Sequence, residues 1–235
     1  MIAHRCGGML APENSIEGLV RAHGIGCRGA EFDAMLAACG TPVLMHDETL
    51  ERTTVACGRV AQMCWTELAN IALKTRDGGV SEGCVPSLVM ALETCLTLGM
   101  AANIEIKPSA GAEHATGLAV AEVAAHCWTH PGALPPLLSS FSIPALEAAA
   151  QGAPALPRAL LLERVGADSI TLAQALGCVA MVVERSQLSA SLITRAHDAG
   201  LGVAIYTEND EVRGEHWLAS GLDGLITDQP AQFQR

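Results

Sequence analysis

Two histidines, three carboxylates and an arginine crowd into the first fifth of this 235-residue chain, as His4-Arg5, Glu31-Phe32-Asp33 and His46-Asp47. A second charged group follows about 60 residues later, in Ile104-Glu105-Ile106-Lys107-Pro108. Each group lies at the end of a short apolar run. Side chains two apart on a strand share a face, so Glu31 projects with Asp33, and Glu105 with Lys107. Three carboxylates from adjacent strands, Glu31, Asp33 and Glu105, make a hard-oxygen site suited to Mg2+ or Ca2+. Burying them without a cation is costly. The metal, Arg5 and Lys107 would together hold a phosphate group. Imidazole titrates near neutral pH. His4 and His46 therefore offer the proton acceptor and proton donor that cleavage of a phosphate diester requires.

The elements that must position these groups are legible as alternating short apolar runs and helix-period stretches. Extended segments are expected at Met1–Arg5, Gly29–Leu36, Pro42–His46, Ala102–Lys107, Pro136–Phe141, Ala159–Leu162, Val179–Glu184, Gly202–Thr207 and Gly224–Thr227. Helices are expected at Ser15–His23, Ser87–Leu98, Ala115–Ala125, Ile143–Gln151, Thr171–Leu176, Ser189–Gly200 and Glu211–Ser220. Such repetition implies a parallel sheet. Only about five residues separate Gly29–Leu36 from Pro42–His46. A parallel crossover needs about a dozen, so this pair must be an antiparallel hairpin that returns His46 to the mouth. Eight parallel strands remain, enough for a closed barrel whose catalytic groups sit at the C-terminal strand ends. The chain reads as one domain, 1–235, with an insertion at 48–85 over the mouth, helical at Ala61–Leu73.

Half the residues are hydrophobic and 17% are charged, which allows a substantial core. The net charge of −11 argues against nucleic acid or an anionic membrane as the main partner. No apolar run reaches the roughly 18 residues of a membrane span, and no signal-peptide pattern opens the chain. Nine cysteines without a C-x-x-C pair fit neither a thiolate zinc site nor a disulfide framework. Reduced thiols in a cytoplasmic protein are the expectation.

At this point the ordered residues resemble the glycerophosphodiester phosphodiesterases, relatives of phosphatidylinositol-specific phospholipase C. The resemblance rests on Ala3-His4-Arg5, Ala11-Pro12-Glu13-Asn14-Ser15, Glu31-Phe32-Asp33, and His46-Asp47-Glu48-Thr49-Leu50-Glu51-Arg52-Thr53-Thr54. Asn103-Ile104-Glu105-Ile106-Lys107-Pro108, Ser139-Ser140-Phe141 and Gly224-Leu225-Ile226-Thr227-Asp228-Gln229-Pro230 continue it over nearly the whole chain. It implies a TIM (β/α)8 barrel with a small insertion after the second strand. It also implies metal-dependent hydrolysis of a small glycerophosphodiester to glycerol 3-phosphate and an alcohol. Carried over by position, His4 and His46 resemble the acid-base pair, Glu31, Asp33 and Glu105 the metal ligands, and Arg5 and Lys107 the phosphate contacts. Two departures stand out. Cys6 replaces the family's usual Gly, an exchange expected either to narrow the first loop or to put a thiol near the metal. Tyr206 replaces a common Trp on the alcohol or glycerol side of the pocket, where Phe141 is expected as half core, half wall.

Two other functions share these residues. One is a phospholipase D-like hydrolysis of lysophospholipids, which the scarcity of aromatic residues disfavours. The other is a non-catalytic barrel that binds phosphate ligands, which the complete set of catalytic groups disfavours. Glu13 is expected to brace Arg5, Asn14-Ser15 to form a turn and helix cap, Asp47 to orient a catalytic group or cap a turn, and Asp228 to close the last loop or touch the site. His23, His114, His126, His130, His197 and His216 read as surface or structural. A homo-oligomer is compatible with the sequence, which does not specify the oligomeric state.

Overall fold

The computed structural model describes residues 1–129 and 132–233; His130 lies outside them. The elements run β1 (Ile2–Ala3), α1 (Ile16–Gly24), β2 (Gly29–Leu36), β3 (Pro42–Leu44), α2 (Trp65–Leu68), β4 (Ala72–Lys74) and β5 (Val80–Cys84). They continue with α3 (Leu88–Leu98), β6 (Ala101–Ile106), α4 (Glu113–Cys127), β7 (Leu137–Ser140), α5 (Ile143–Gly152), β8 (Arg158–Leu162) and α6 (Ser169–Ala175). Last come β9 (Ala180–Glu184), α7 (Ala190–Asp198), β10 (Gly202–Tyr206), α8 (Glu211–Ala219) and β11 (Gly224–Thr227).

β1, β2 and β6 through β11 form a closed parallel barrel, with β1 pairing both β11 and β2. Helices lie between successive barrel strands, so the architecture is a TIM barrel. Its interior is filled by modest side chains: buried Ala159, Leu161, Val182 and Ile226, with Ile2, Leu137, Ala204 and Tyr206 against them. The outward strand residues, Phe32, Ile104 and Leu138 among them, pack against α1, α3, α4 and α5. The alternation thus sends Phe32 to the helices and leaves Glu31 and Asp33 facing the lumen. Five helices open on a side chain that accepts a first-turn N–H: Ser15, Ser87, Ser142, Ser189 and Asp210. Such caps contribute about 1 kcal/mol each. α4 and α5 meet closely at Gly117, where an added Cβ would stand 2.2 Å from the Ala145 carbonyl oxygen.

β3 pairs antiparallel with β2, as the short link requires. The insertion that follows has an apolar cluster of its own, in which Met35, Val43 and Met45 pack with Leu50, Val60, Leu68 and Leu73. The helix expected at Ala61–Leu73 shrinks to α2. Val60, Leu68 and Leu73 serve a 3-10 turn (Val60–Gln62), α2 and β4 rather than one helical face. β4 pairs with β5 in a hairpin that the sequence reading missed. The first strand is also shorter than Met1–Arg5. It stops at Ala3, because His4–Cys6 forms a 3-10 turn with Arg5 and Cys6 at φ 47° and 75°. This is a left-handed conformation that favours glycine, which accounts for the family's Gly where this chain has Cys6.

Candidate active site

The mouth of the barrel gathers the carboxylates first. Asp33 and Glu105 are register partners on neighbouring strands, as are Glu31 and Asn103. Oxygens of Glu31, Asp33 and Glu105 lie within 4.8 Å of one another. Glu31 Oε2 accepts the Arg5 backbone N–H at 2.9 Å, a bond the left-handed turn makes available. Its other oxygen, Oε1, is buried with no hydrogen-bond partner. Burial and the neighbouring Asp33 charge push the Glu31 carboxyl up to about 8 and that of Glu105 up to about 7. Three oxygens in this spacing, one of them orphaned, fit a single hard cation, which would remove the penalty of packing like charges together.

Asp33 is held from below. Asn14 Nδ2 donates to Asp33 Oδ2 at 2.8 Å, and the Asp33 N–H donates to Asn14 Oδ1 at 3.1 Å. Asn14, expected only as part of a turn, thus fixes a candidate metal ligand. Arg5 reaches Glu13 with Nη1 at 3.1 and 3.2 Å. Its buried Nε has no hydrogen-bond partner and lies 3.6 Å from Asp33. Lys107 Nζ is 3.2 Å from Glu105 and 3.8 Å from Asp33.

Each histidine is backed by an acid. His4 Nδ1 donates to Asp228 Oδ1 at 2.7 Å, while Nε2 faces Glu31 at 3.8 Å. Burial pulls the His4 pKa down, but Asp228 and Glu31 outweigh it and the net shift is upward. Asp228 is held near 2, chiefly by His4. Asn209 fixes it in turn, donating to Oδ2 at 3.2 Å and accepting the Asp228 N–H at 2.8 Å. Gly8 lets this loop close. An added Cβ there would meet the Asp228 carbonyl oxygen at 2.3 Å.

His46 Nδ1 donates to Asp47 Oδ1 at 2.6 Å, which leaves Nε2 to accept from Lys107 Nζ at 2.9 Å. Burial, with the Arg5 and Lys107 charges, lowers the His46 pKa against the pull of Asp33 and Asp47. Arg52 holds Asp47 through Nε at 2.5 Å and Nη2 at 3.0 Å. It also grips both oxygens of Glu13 at 2.7 Å. Its bond, followed by that of His46, keeps the Asp47 carboxyl well below the ordinary range.

Phe141 and Tyr206 meet edge to face, with ring centroids 5.7 Å apart. They line a small cavity with His4, Glu31, Asn103, Glu105 and Ser139. Beside it a groove of about 420 Å³ runs past Lys107, Phe141, Glu113 and Glu163. Every site residue expected from the sequence therefore lies at this mouth. Cys6 does not join them: it is fully buried against the α1 side of the barrel. Arg52, Asn14 and Asn209 were not expected here. Asn103 alternates with Glu105 and Lys107, a signal that could have found it.

The fold and this charge arrangement define a TIM-barrel protein that gathers three carboxylates, two cationic side chains and two acid-backed histidines at its mouth. Residues 4–232 match the glycerophosphoryl diester phosphodiesterase family, and the chain belongs to that family. A glycerophosphodiester phosphodiesterase from Caldanaerobacter subterraneus subsp. tengcongensis is 26% identical over 98% of this chain and 94% of its own length. Glycerophosphodiester phosphodiesterase 1 of Bos taurus is 33% identical, but the match spans 45% of this chain and a third of that relative. A phosphodiesterase structure from Oleispira antarctica, in complex with the product sn-glycerol-3-phosphate, superposes with a TM-score of 0.91. It is 31% identical over 99% of this chain and 94% of that one. The Agrobacterium tumefaciens glycerophosphodiester phosphodiesterase shares the fold, with a TM-score of 0.81 at 24% identity over 99% and 97% of the two chains. Among the described residues no helix is long and apolar enough to cross a membrane.

Proposed function

We propose that this chain hydrolyses glycerophosphodiesters, the deacylated head groups of phospholipids, to glycerol 3-phosphate and an alcohol in the cytoplasm. The observation that carries this reading is the meeting of three clustered carboxylates, two cationic side chains and two carboxylate-backed histidines at one barrel mouth. Glu31, Asp33 and Glu105 hold a divalent ion, Mg2+ or Ca2+. When bound, that ion polarises the phosphoryl group and offsets its charge.

Arg5 and Lys107, both beside the carboxylates, bind the phosphate. Substrate draws Lys107 off His46 and frees Nε2. His46, oriented by Asp47 and with its pKa lowered by burial and the Arg5 and Lys107 charges, accepts the proton of the attacking water or hydroxyl. His4, whose pKa Asp228 and Glu31 raise against burial, delivers a proton to the departing alkoxide. Placing the two pKa values on opposite sides of the ordinary histidine value is what such a division requires. Phe141 and Tyr206 wall the organic part of the substrate. The product held by the Oleispira relative supports the glycerol 3-phosphate assignment.

The test is phosphorus NMR of glycerophosphocholine and glycerophosphoethanolamine incubated with the protein and Mg2+ or Ca2+. The expected product is the glycerol 3-phosphate monoester. Phosphocholine would mean that the other ester bond breaks. Faster turnover of lysophosphatidylcholine would favour the lysophospholipid reading, and tight binding without product the binding-only barrel.

A further inference from the structure

Away from the mouth carboxylates, two thiols face each other where the β2–β3 turn meets the insertion. The Cys39 and Cys64 side chains are close enough that each shifts the other's titration. The backbone on either side locks them there: the Ala38 N–H donates to the Met63 carbonyl at 2.9 Å, and the Trp65 N–H donates to Cys39 Sγ at 3.2 Å. The Thr41 hydroxyl stands 3.5 Å from the same sulfur. Cys39 is exposed and Cys64 half-buried, so a water-borne reagent reaches the pair. Cys6 and Cys95 are also neighbours, but both are buried in the core.

We propose that Cys39 and Cys64 form an oxidative modification site, a dithiol that a peroxide closes to an intramolecular disulfide. The Trp65 N–H, then the Thr41 hydroxyl, bring the Cys39 thiol down to about 7, whereas contact with Cys39 raises that of Cys64. Cys39 is therefore the attacking sulfur. Its thiolate takes the terminal oxygen of hydrogen peroxide as the O–O bond breaks, which gives a sulfenic acid and hydroxide. The Cys64 sulfur then attacks the sulfenic sulfur. The S–S bond forms, the S–O bond breaks, and the departing hydroxide leaves as water with the Cys64 proton. Two thiols and one peroxide become one disulfide and two waters. The bridge encloses β3, His46, Asp47 and Arg52, and so pins the segment that carries one catalytic histidine to the insertion. It touches none of the groups proposed to meet substrate.

The experiment treats the whole folded protein with stoichiometric hydrogen peroxide, followed by peptide mass mapping without reduction. The expected result is a peptide pair linked through Cys39 and Cys64, two fewer titratable thiols, and a melting temperature raised by several degrees. Dithiothreitol reverses all three. Cys64→Ser should stop at a Cys39 sulfenic acid trapped by dimedone, and Cys39→Ser should leave Cys64 reduced. Iodoacetamide should label Cys39 at pH 7 roughly 3- to 4-fold faster than free cysteine, the gain in thiolate partly offset by weaker nucleophilicity. Over-oxidation of Cys39 with Cys64 still reduced, bridging through Cys57, or disulfides between chains would each overturn the proposal.

Discussion

Replacing Arg52 with Ala removes one guanidinium that spans the mouth. It donates twice to Glu13, which braces Arg5, and twice to Asp47, which orients His46. Charge-assisted bonds of this kind contribute about 1.5–3 kcal/mol each when buried. The Arg52 side chain is 47% exposed, and solvent screening reduces the whole set to about 1–2 kcal/mol of stability. The catalytic effect should be larger relative to its size. Outer positioning groups typically carry about 10–100-fold in activity, which is about 1.4–2.7 kcal/mol of transition-state stabilisation. The assay is kcat/KM on glycerophosphocholine for Arg52→Ala, Asp47→Ala and the double variant, with Arg52→Lys alongside. Lysine cannot bridge two carboxylates with one planar fork, so Arg52→Lys should recover little. The double variant should lose less than the sum of the single losses, by about 1 kcal/mol or more. An Arg52→Ala enzyme within about two-fold of wild type, or strict additivity with Asp47→Ala, would refute the bracing role.

Three further outcomes follow from the same geometry. Glu31 and Glu105 have folded-state pKa values raised to about 8 and about 7, so the folded protein binds protons more tightly than the unfolded chain. Without metal, stability should fall as pH rises from the ordinary carboxylate range through these values. Mg2+ or Ca2+ should therefore raise the melting temperature more at pH 8 than at pH 5, and equal shifts at both would count against the cation site. Asp228→Asn removes the charge that lifts His4; the alkaline limb of the pH–rate profile should move to lower pH, and an unmoved limb would remove His4 as the acid. Gly117→Ala forces a methyl against the Ala145 carbonyl and should destabilise the α4–α5 packing by about 1–3 kcal/mol in a denaturant melt; an unchanged midpoint would contradict the close approach.

Strand alternation alone paired Glu31 with Asp33 and Glu105 with Lys107, because a period of two is local and survives in any parallel sheet. The five-residue link before Pro42 was equally decisive, since chain length forbids a parallel crossover there. What escaped is long-range. Arg52 meets Glu13 across 39 residues, and Asn14 meets Asp33 and Asn209 meets Asp228 across 19 each. No local pattern announces such contacts. Asp47 and Asp228 were read with their roles open, and the tertiary fold decides for histidine contact in both. β5 was missed because Val80–Cys84 has one buried residue, Ser81, and no apolar alternation to mark it. The early end of β1 was hidden because the left-handed turn at Arg5 and Cys6 uses residues that ordinarily avoid it.

Release of glycerol 3-phosphate from glycerophosphocholine bears most directly on the proposed metal-and-histidine chemistry. It should be measured with Mg2+, with Ca2+ and with EDTA, for wild type, His4→Ala and His46→Ala, each first shown to be folded by its melting transition. The expected result is release that requires a divalent ion and falls by about 10²–10⁴-fold in either variant. Release that survives EDTA, or a folded histidine variant that turns over at the wild-type rate, would contradict it.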